Sequence, residues 1–171
     1  MIFDMSTEEH RMPNRAPTGA AFLLAQLGAH AAQRFGQRMS EIGLTAADAG
    51  LLRKIASDRT VTQQALAEFL GVVPSRMVAL IDDLEAKKIV ERRRSTEDRR
   101  NYTLLLTERG HEVLAAISRI AAEQEEALCA ALSREEKLQL TQLCRRIADE
   151  QGLTPGVHPG YRTLGRKKSS G

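Results

Sequence analysis

The sequence predicts a mainly α-helical chain with one small β-hairpin, and three observations carry that prediction. Ala and Leu dominate, aromatic residues make up 4% and Trp is absent, which favours helix packing over a β-sandwich. Apolar residues recur at three- and four-residue spacing over long stretches at both ends of the chain. Between Ile89 and Leu106 two short apolar runs flank a polar segment, the pattern of two strands joined by a long tip.

With 171 residues the chain is about one domain, long enough to bury a core without disulfides or metal. Its pI of 9.1 and net charge of +3 suggest a polyanionic partner, but the charge is unevenly placed. Residues 151–171 hold Arg162, Arg166, Lys167 and Lys168 and no acid. The first 150 residues keep 21 of the 25 basic side chains and all 22 acids, a balance of −1. A nucleic-acid reading must therefore rest on local pattern. Cys129 and Cys144 lie in helical patterns, in what read as apolar surroundings, and form no disulfide framework. With no signal-like start and no long apolar run, a cytoplasmic protein without membrane contact is expected.

Taken in order, residues 1–17 lack a period and are broken by Pro13 and Pro17, so they read as a flexible arm. From Thr18 to Met39 the apolar positions Phe22, Leu23, Leu27, Ala31, Phe35 and Met39 predict a long amphipathic helix within a segment 18–44. Gly43 suits a helix exit, and Thr45 with Asp48 forms a capping box for a second helix with Leu51, Leu52 and Ile55 inward. Val61 is a short extended segment. Thr62 then caps a helix to Leu70 with Ala65, Leu66, Phe69 and Leu70 as its apolar set.

Gly71, Val72 and Val73 form a turn, and Pro74 fits the first turn of the next helix, where its missing N–H has no intrahelical role. Met77, Leu80, Ile81 and Leu84 make the inward stripe of that helix. Two helices around a short Gly-containing turn are the sequence form of a helix-turn-helix. The hairpin that follows carries five arginines and three acids in the ten residues Glu91 to Arg100, which makes it a wing. Residues 45–110 thus form a winged helix-turn-helix. Thr107 caps a long helix through Val113, Ile117, Ile120 and Leu128, and Ser133 with Glu136 is a capping box for a last one, both within 111–150. The flanking helices carry more apolar positions than so small a unit can cover, so a second copy of the chain is expected to pair with them. Residues 151–171, broken by Gly and Pro, read as a disordered basic tail.

The stretch DRRNYTLLLTERG, from Asp98 to Gly110, fits the wing signature of the MarR-type winged-helix transcriptional regulators, and the chain resembles that family over about residues 20–150. LAEFLG from Leu66 and ALIDDLEAKKIVERR from Ala79 resemble the family's helix-turn-helix and wing entry. Lys88 departs from the usual Gly there, and Val73 from a small polar cap.

In a helix-turn-helix the second helix lies in the major groove with its N-terminal residues nearest the bases. Those are Pro74, Ser75, Arg76 and Ala79, with Arg76 the candidate for bidentate guanine readout. Asp82 and Asp83 face away from the groove or repel phosphate. The resemblance implies that Asp98 holds Arg100 within the hairpin and that Arg94 or Arg99 reaches the minor groove from the tip. It also implies a homodimer on a palindromic double-stranded operator and release by a small aromatic or phenolic effector. His30, Arg34, Arg53 and His111 are the candidate effector contacts. A winged module for protein contacts or for sequence-independent DNA binding is the alternative. No cofactor or metal is expected, because His, Cys and acids do not cluster at ligand spacing, and no cysteine precedes Cys129 for peroxide sensing. Nor is there a phosphate loop, a nucleophile elbow or a catalytic carboxylate pair, so the chain does not read as an enzyme.

Overall fold

A computed structural model describes residues 19–94 and 102–157 of the chain. Six helices and one hairpin follow in the order α1 (Ala20–Glu41), α2 (Ala46–Ser57), α3 (Gln63–Leu70), α4 (Pro74–Ala86), β1 (Val90–Arg94), β2 (Tyr102–Leu106), α5 (Glu108–Leu128) and α6 (Arg134–Glu150). The expected arm, the wing tip with Asp98, Arg99 and Arg100, and the tail from residue 158 lie outside the described residues.

Local chemistry sets the helix starts. Thr45 and Ser133 form reciprocal capping boxes with Asp48 and Glu136, while the Thr62 and Thr107 hydroxyls accept from the N–H groups of Ala65 and Gly110. The helix ends share one device. Gly43, Gly71 and Lys88 adopt left-handed backbone, and the residue after each donates back to a carbonyl five positions earlier: Leu44 to Met39, Val72 to Ala67 and Ile89 to Leu84. Each donor is buried, so every reversal also inserts an apolar side chain into the core. Lys88, with φ of 56°, is the only non-glycine with positive φ among the described residues. It carries at the α4 exit the strain that its departure from Gly implied.

The core lies within the winged unit and is closed by α1 and α5. Leu51, Leu52 and Ile55 of α2, Leu66 of α3, Met77, Ile81 and Leu84 of α4, Leu104 of β2 and Ile117 of α5 are almost wholly buried in one cluster. Two inward assignments differ from expectation. In α3, Ala67 is buried while Ala65 is exposed and Phe69 sits at the edge, its ring centroid 5.2 Å below the Lys54 ammonium. Cys144 is exposed on α6 and Cys129 half-buried, because α6 buries none of its residues against the rest of the chain. Residues 151–157, read from sequence as the start of the tail, continue instead as a Gly152-capped turn that brings Val157 against the core.

The wing is an antiparallel pair with Val90 opposite Leu106 and Arg94 opposite Tyr102. The Leu104 N–H donates to the Val61 carbonyl at 3.0 Å, so the segment before α3 adds a third partner to the hairpin. At its base the Thr107 hydroxyl donates to the Lys88 carbonyl at 2.6 Å, and the Thr107 N–H to that of Ile89 at 3.1 Å. A Cβ on Gly110 would lie 2.2 Å from the Ile89 carbonyl oxygen, which explains the glycine that closes the wing signature. Arg92 fixes the wing to the helices. Its guanidinium donates to Glu85, to Asp82 at 2.6 Å and to Gln63 at 3.1 Å, and its backbone N–H donates to Glu85 as well. Partial burial disfavours its charge, but the bonds to Asp82 and Glu85 outweigh that and hold its pKa above the ordinary arginine value.

These contacts set the expected stability of three variants. Gly110→Ala forces backbone apart at the wing base and is expected to cost ~3 kcal/mol in urea denaturation, the upper range for overpacking. Arg92→Ala removes charge-assisted bonds at a partly solvated site and is expected to cost ~1–2 kcal/mol. Arg92→Lys, which keeps the charge without the fork, is expected to recover less than half of that loss.

Candidate nucleic-acid interface

The axes of α3 and α4 diverge by 117° at the Gly71–Val73 turn, within the range of helix-turn-helix pairs. Met77, Ile81 and Leu84 turn one face of α4 into the core, which leaves Pro74, Ser75, Arg76 and Ala79 exposed. No side chain caps the amino end of this helix at Val73, and no acid lies in its first turn. Its positive pole therefore meets solvent beside Ser75 and Arg76. The Arg76 guanidinium has no ion-pair or hydrogen-bond partner among the described residues.

Farther along α4 the acids are occupied within the chain. Asp82 is held by Arg92, and Asp83 by Lys87 at 2.7 Å, while the Lys87 ammonium also donates to the Gly43 carbonyl at 3.0 Å. The carboxylates that would repel phosphate are thus the anchors of the helix. Sequence reasoning missed this role for Asp82, Glu85, Arg92 and Gln63. The readable signal was a pair of acids three apart on one helix followed by a basic strand. It also missed Val78, which is apolar yet 40% exposed beside the Ser75 surface.

On the wing, Arg92 and Arg94 share one face and Glu91 and Arg93 the other, because strand side chains alternate. Arg94 is exposed at the end of the described strand. A hydrogen bond to the Tyr102 side chain opposite raises its pKa. Arg93 pairs with Glu91 at 2.5 Å.

The four candidate effector residues are not gathered into one site. His30 and Arg34 are exposed on α1 and Arg53 on α2, while His111 lines a cleft of about 370 Å³ with Ile55, Arg59, Arg93 and Leu105. A second concavity of about 610 Å³ lies in the crook between α3 and α4, lined by Gln63, Gln64, Glu68, Val73 and Pro74. Among the described residues no group of three His, Cys or acidic side chains has metal-binding geometry. No single described helix is long and apolar enough to cross a membrane.

Residues 42–101, which span α2 to the wing, match the sequence profile of the MarR family. A candidate transcriptional regulatory protein for the hcr operon of Thauera aromatica is 34% identical over 113 residues, 66% of this chain and 68% of its own. The HTH-type transcriptional regulator YdcH of Bacillus subtilis (strain 168) is 32% identical over 128 residues, covering 72% of this chain and 85% of its own. Among solved structures, the transcriptional repressor CouR bound to a 23-mer DNA duplex superposes with a TM-score of 0.66 at 27% identity, over 76% of this chain and 92% of its own. The wing signature, the helix-turn-helix geometry and these relatives agree, and the chain belongs to the MarR family.

Proposed function

We propose that this chain is a homodimeric, sequence-specific DNA-binding transcriptional regulator that represses its targets and is released by a small aromatic or phenolic effector. The observation that carries the DNA reading is the bare amino end of α4. There an unpaired arginine, a serine and two small or apolar positions are exposed where a recognition helix presents its readers. Arg76 bonds guanine O6 and N7, Ser75 a base edge or phosphate, and Ala79 with Val78 packs against thymine methyls. Arg94 or Arg99 enters the minor groove from the wing, with Asp98 and Arg100 holding the hairpin.

Residues 45–110 serve as the reading unit and 18–44 with 111–150 as the pairing unit. Support for pairing comes from apolar side chains that the single chain leaves half-exposed: Phe22, Leu23 and Leu27 on α1, and Leu138, Leu143 and Ile147 on α6. A two-fold dimer sets two recognition helices about one DNA turn apart and reads a palindrome. The effector part follows from the family resemblance, with His30, Arg34, Arg53 and His111 as its candidate contacts.

Selection of bound DNA from a random pool, with sedimentation to count chains per complex, tests the reading as a whole. A palindrome bound by two chains is expected; sequence-independent recovery would favour the alternative of a general DNA or protein-contact module. Arg76→Ala is expected to cost ~1–3 kcal/mol at particular base pairs of that site and little elsewhere. An equal loss on all sequences would reduce Arg76 to a phosphate contact. Replacing Arg94 and Arg99 together by Ala is expected to flatten the slope of log affinity against log salt by up to ~2 units. An unchanged slope would place the wing off the DNA.

A further inference from the structure

The consecutive arginines of β1 have partners of two kinds. Arg92 is bound by Asp82 and Glu85, and Arg93 by Glu91, so carboxylates meet both of these charges. Arg94 stands directly opposite Tyr102 in the hairpin, and its guanidinium donates to the Tyr102 phenol oxygen. No acid among the described residues pairs with Arg94. A phenol is an uncharged acceptor, so this partner restrains the arginine without cancelling its charge. A single acceptor oxygen also leaves most of the five guanidinium N–H donors open.

The pair has a defined heading as well. Side chains two apart on a strand share a face, so Arg94 lies on the face of Arg92, whose guanidinium reaches Asp82 of α4 and Gln63 of α3. Arg94 is one repeat further out, roughly 7 Å along the strand beyond those anchors. Both partners are exposed, Tyr102 at 46%. A free arginine side chain loses much of its rotamer freedom when it docks on an anion, and prior restraint removes part of that loss.

We propose that Tyr102 is a positioning residue for DNA binding: its phenol holds Arg94 on the wing face shared with Arg92 and presents an uncancelled guanidinium to the DNA together with α4. Tyr102 acts through Arg94 and needs no DNA contact of its own. This role rests on the DNA reading proposed above. It makes Arg92 and Arg94 complementary: the first fixes the wing to the helices, and the second is kept charged and oriented by a neutral partner.

Tyr102→Phe keeps the ring and removes only the acceptor, and circular dichroism with urea denaturation verifies that the full chain keeps its fold. Without DNA, NMR relaxation of the Arg94 Nε–H reports the restraint. An ordered group in the unmodified chain and a more mobile one in Tyr102→Phe are expected; equal mobility in both overturns the hold. On duplex DNA selected by the full chain, Tyr102→Phe is expected to weaken binding about three- to tenfold. Arg94→Ala is expected to weaken it at least as much and to lower the slope of log affinity against log salt by about one unit, whereas Tyr102→Phe, which keeps the cation, lowers it by less. Adding Tyr102→Phe to the Arg94→Ala chain is expected to change affinity by less than about twofold, because the phenol then has nothing to position. An equal loss in both backgrounds, no loss in the unmodified background, or a salt slope indifferent to Arg94→Ala overturns the positioning role. If the unmodified chain binds no DNA at all, the DNA reading fails and this role with it, a result distinct from lost coupling in a chain that does bind.

Discussion

One guanidinium joins the parts of the winged unit. Arg92 belongs to β1, but its bonds go to two acids of α4 and to the first residue of α3, so three elements are held in register. The geometry needs Arg rather than Lys, since a planar fork can serve Asp82, Glu85 and Gln63 together. The core alone would leave α4 free to roll on its apolar stripe, because Met77, Ile81 and Leu84 supply contact without direction. Arg92 and Lys87 remove that freedom through their ion pairs with Asp82, Glu85 and Asp83. What remains fixed is the heading of the Ser75–Ala79 surface relative to the wing.

That arrangement also explains the placement of charge along α4. Its carboxyl half carries Asp82, Asp83 and Glu85, each engaged by a cation of the same chain, and its amino half carries none. Acid at the far end of the helix serves attachment, and its absence at the near end leaves the positive pole open. The same segregation recurs on the wing, where Arg92 is used internally and Arg94 is presented outward.

The helices, their caps and both strands were legible in the sequence because each is set by local chemistry. Thr45 with Asp48, Gly71 before Pro74, and Thr107 three residues before Gly110 are short-range signals with one mechanism each. The meaning of Gly110 was not legible beyond its place in a signature, since its reason is the Ile89 carbonyl twenty-one residues away. Arg92 was likewise read as one of five equivalent arginines. Only the strand's alternation and the direction of α4 separate it from Arg93 and Arg94. The exposed position of Cys144 was misjudged for a related reason: periodicity identifies an apolar stripe on α6, but cannot say which chain, if any, covers it.

Helix α6 makes that last point an energetic one. It has 17 residues and buries none of them within the chain, although Leu138, Leu140, Leu143 and Ile147 repeat along it. A helix of that length in water is marginal on propensity and capping alone, even with the Ser133–Glu136 box. Its order must therefore come largely from whatever covers the stripe. If that cover is a second copy, as proposed, folding of α6 and association of the chains are one equilibrium, and the stability of this region rises with protein concentration. The DNA side imposes the same requirement. Outside the tail the chain is almost neutral, so each reading unit offers a polyanion only a few unpaired cations, Arg76 foremost. In the proposed dimer, two such units would bind the second half-site as an intramolecular event, which multiplies a weak contact without adding charge. The apolar stripe left bare on α6 and the sparse charge on α4 would both be answered by that proposed pairing.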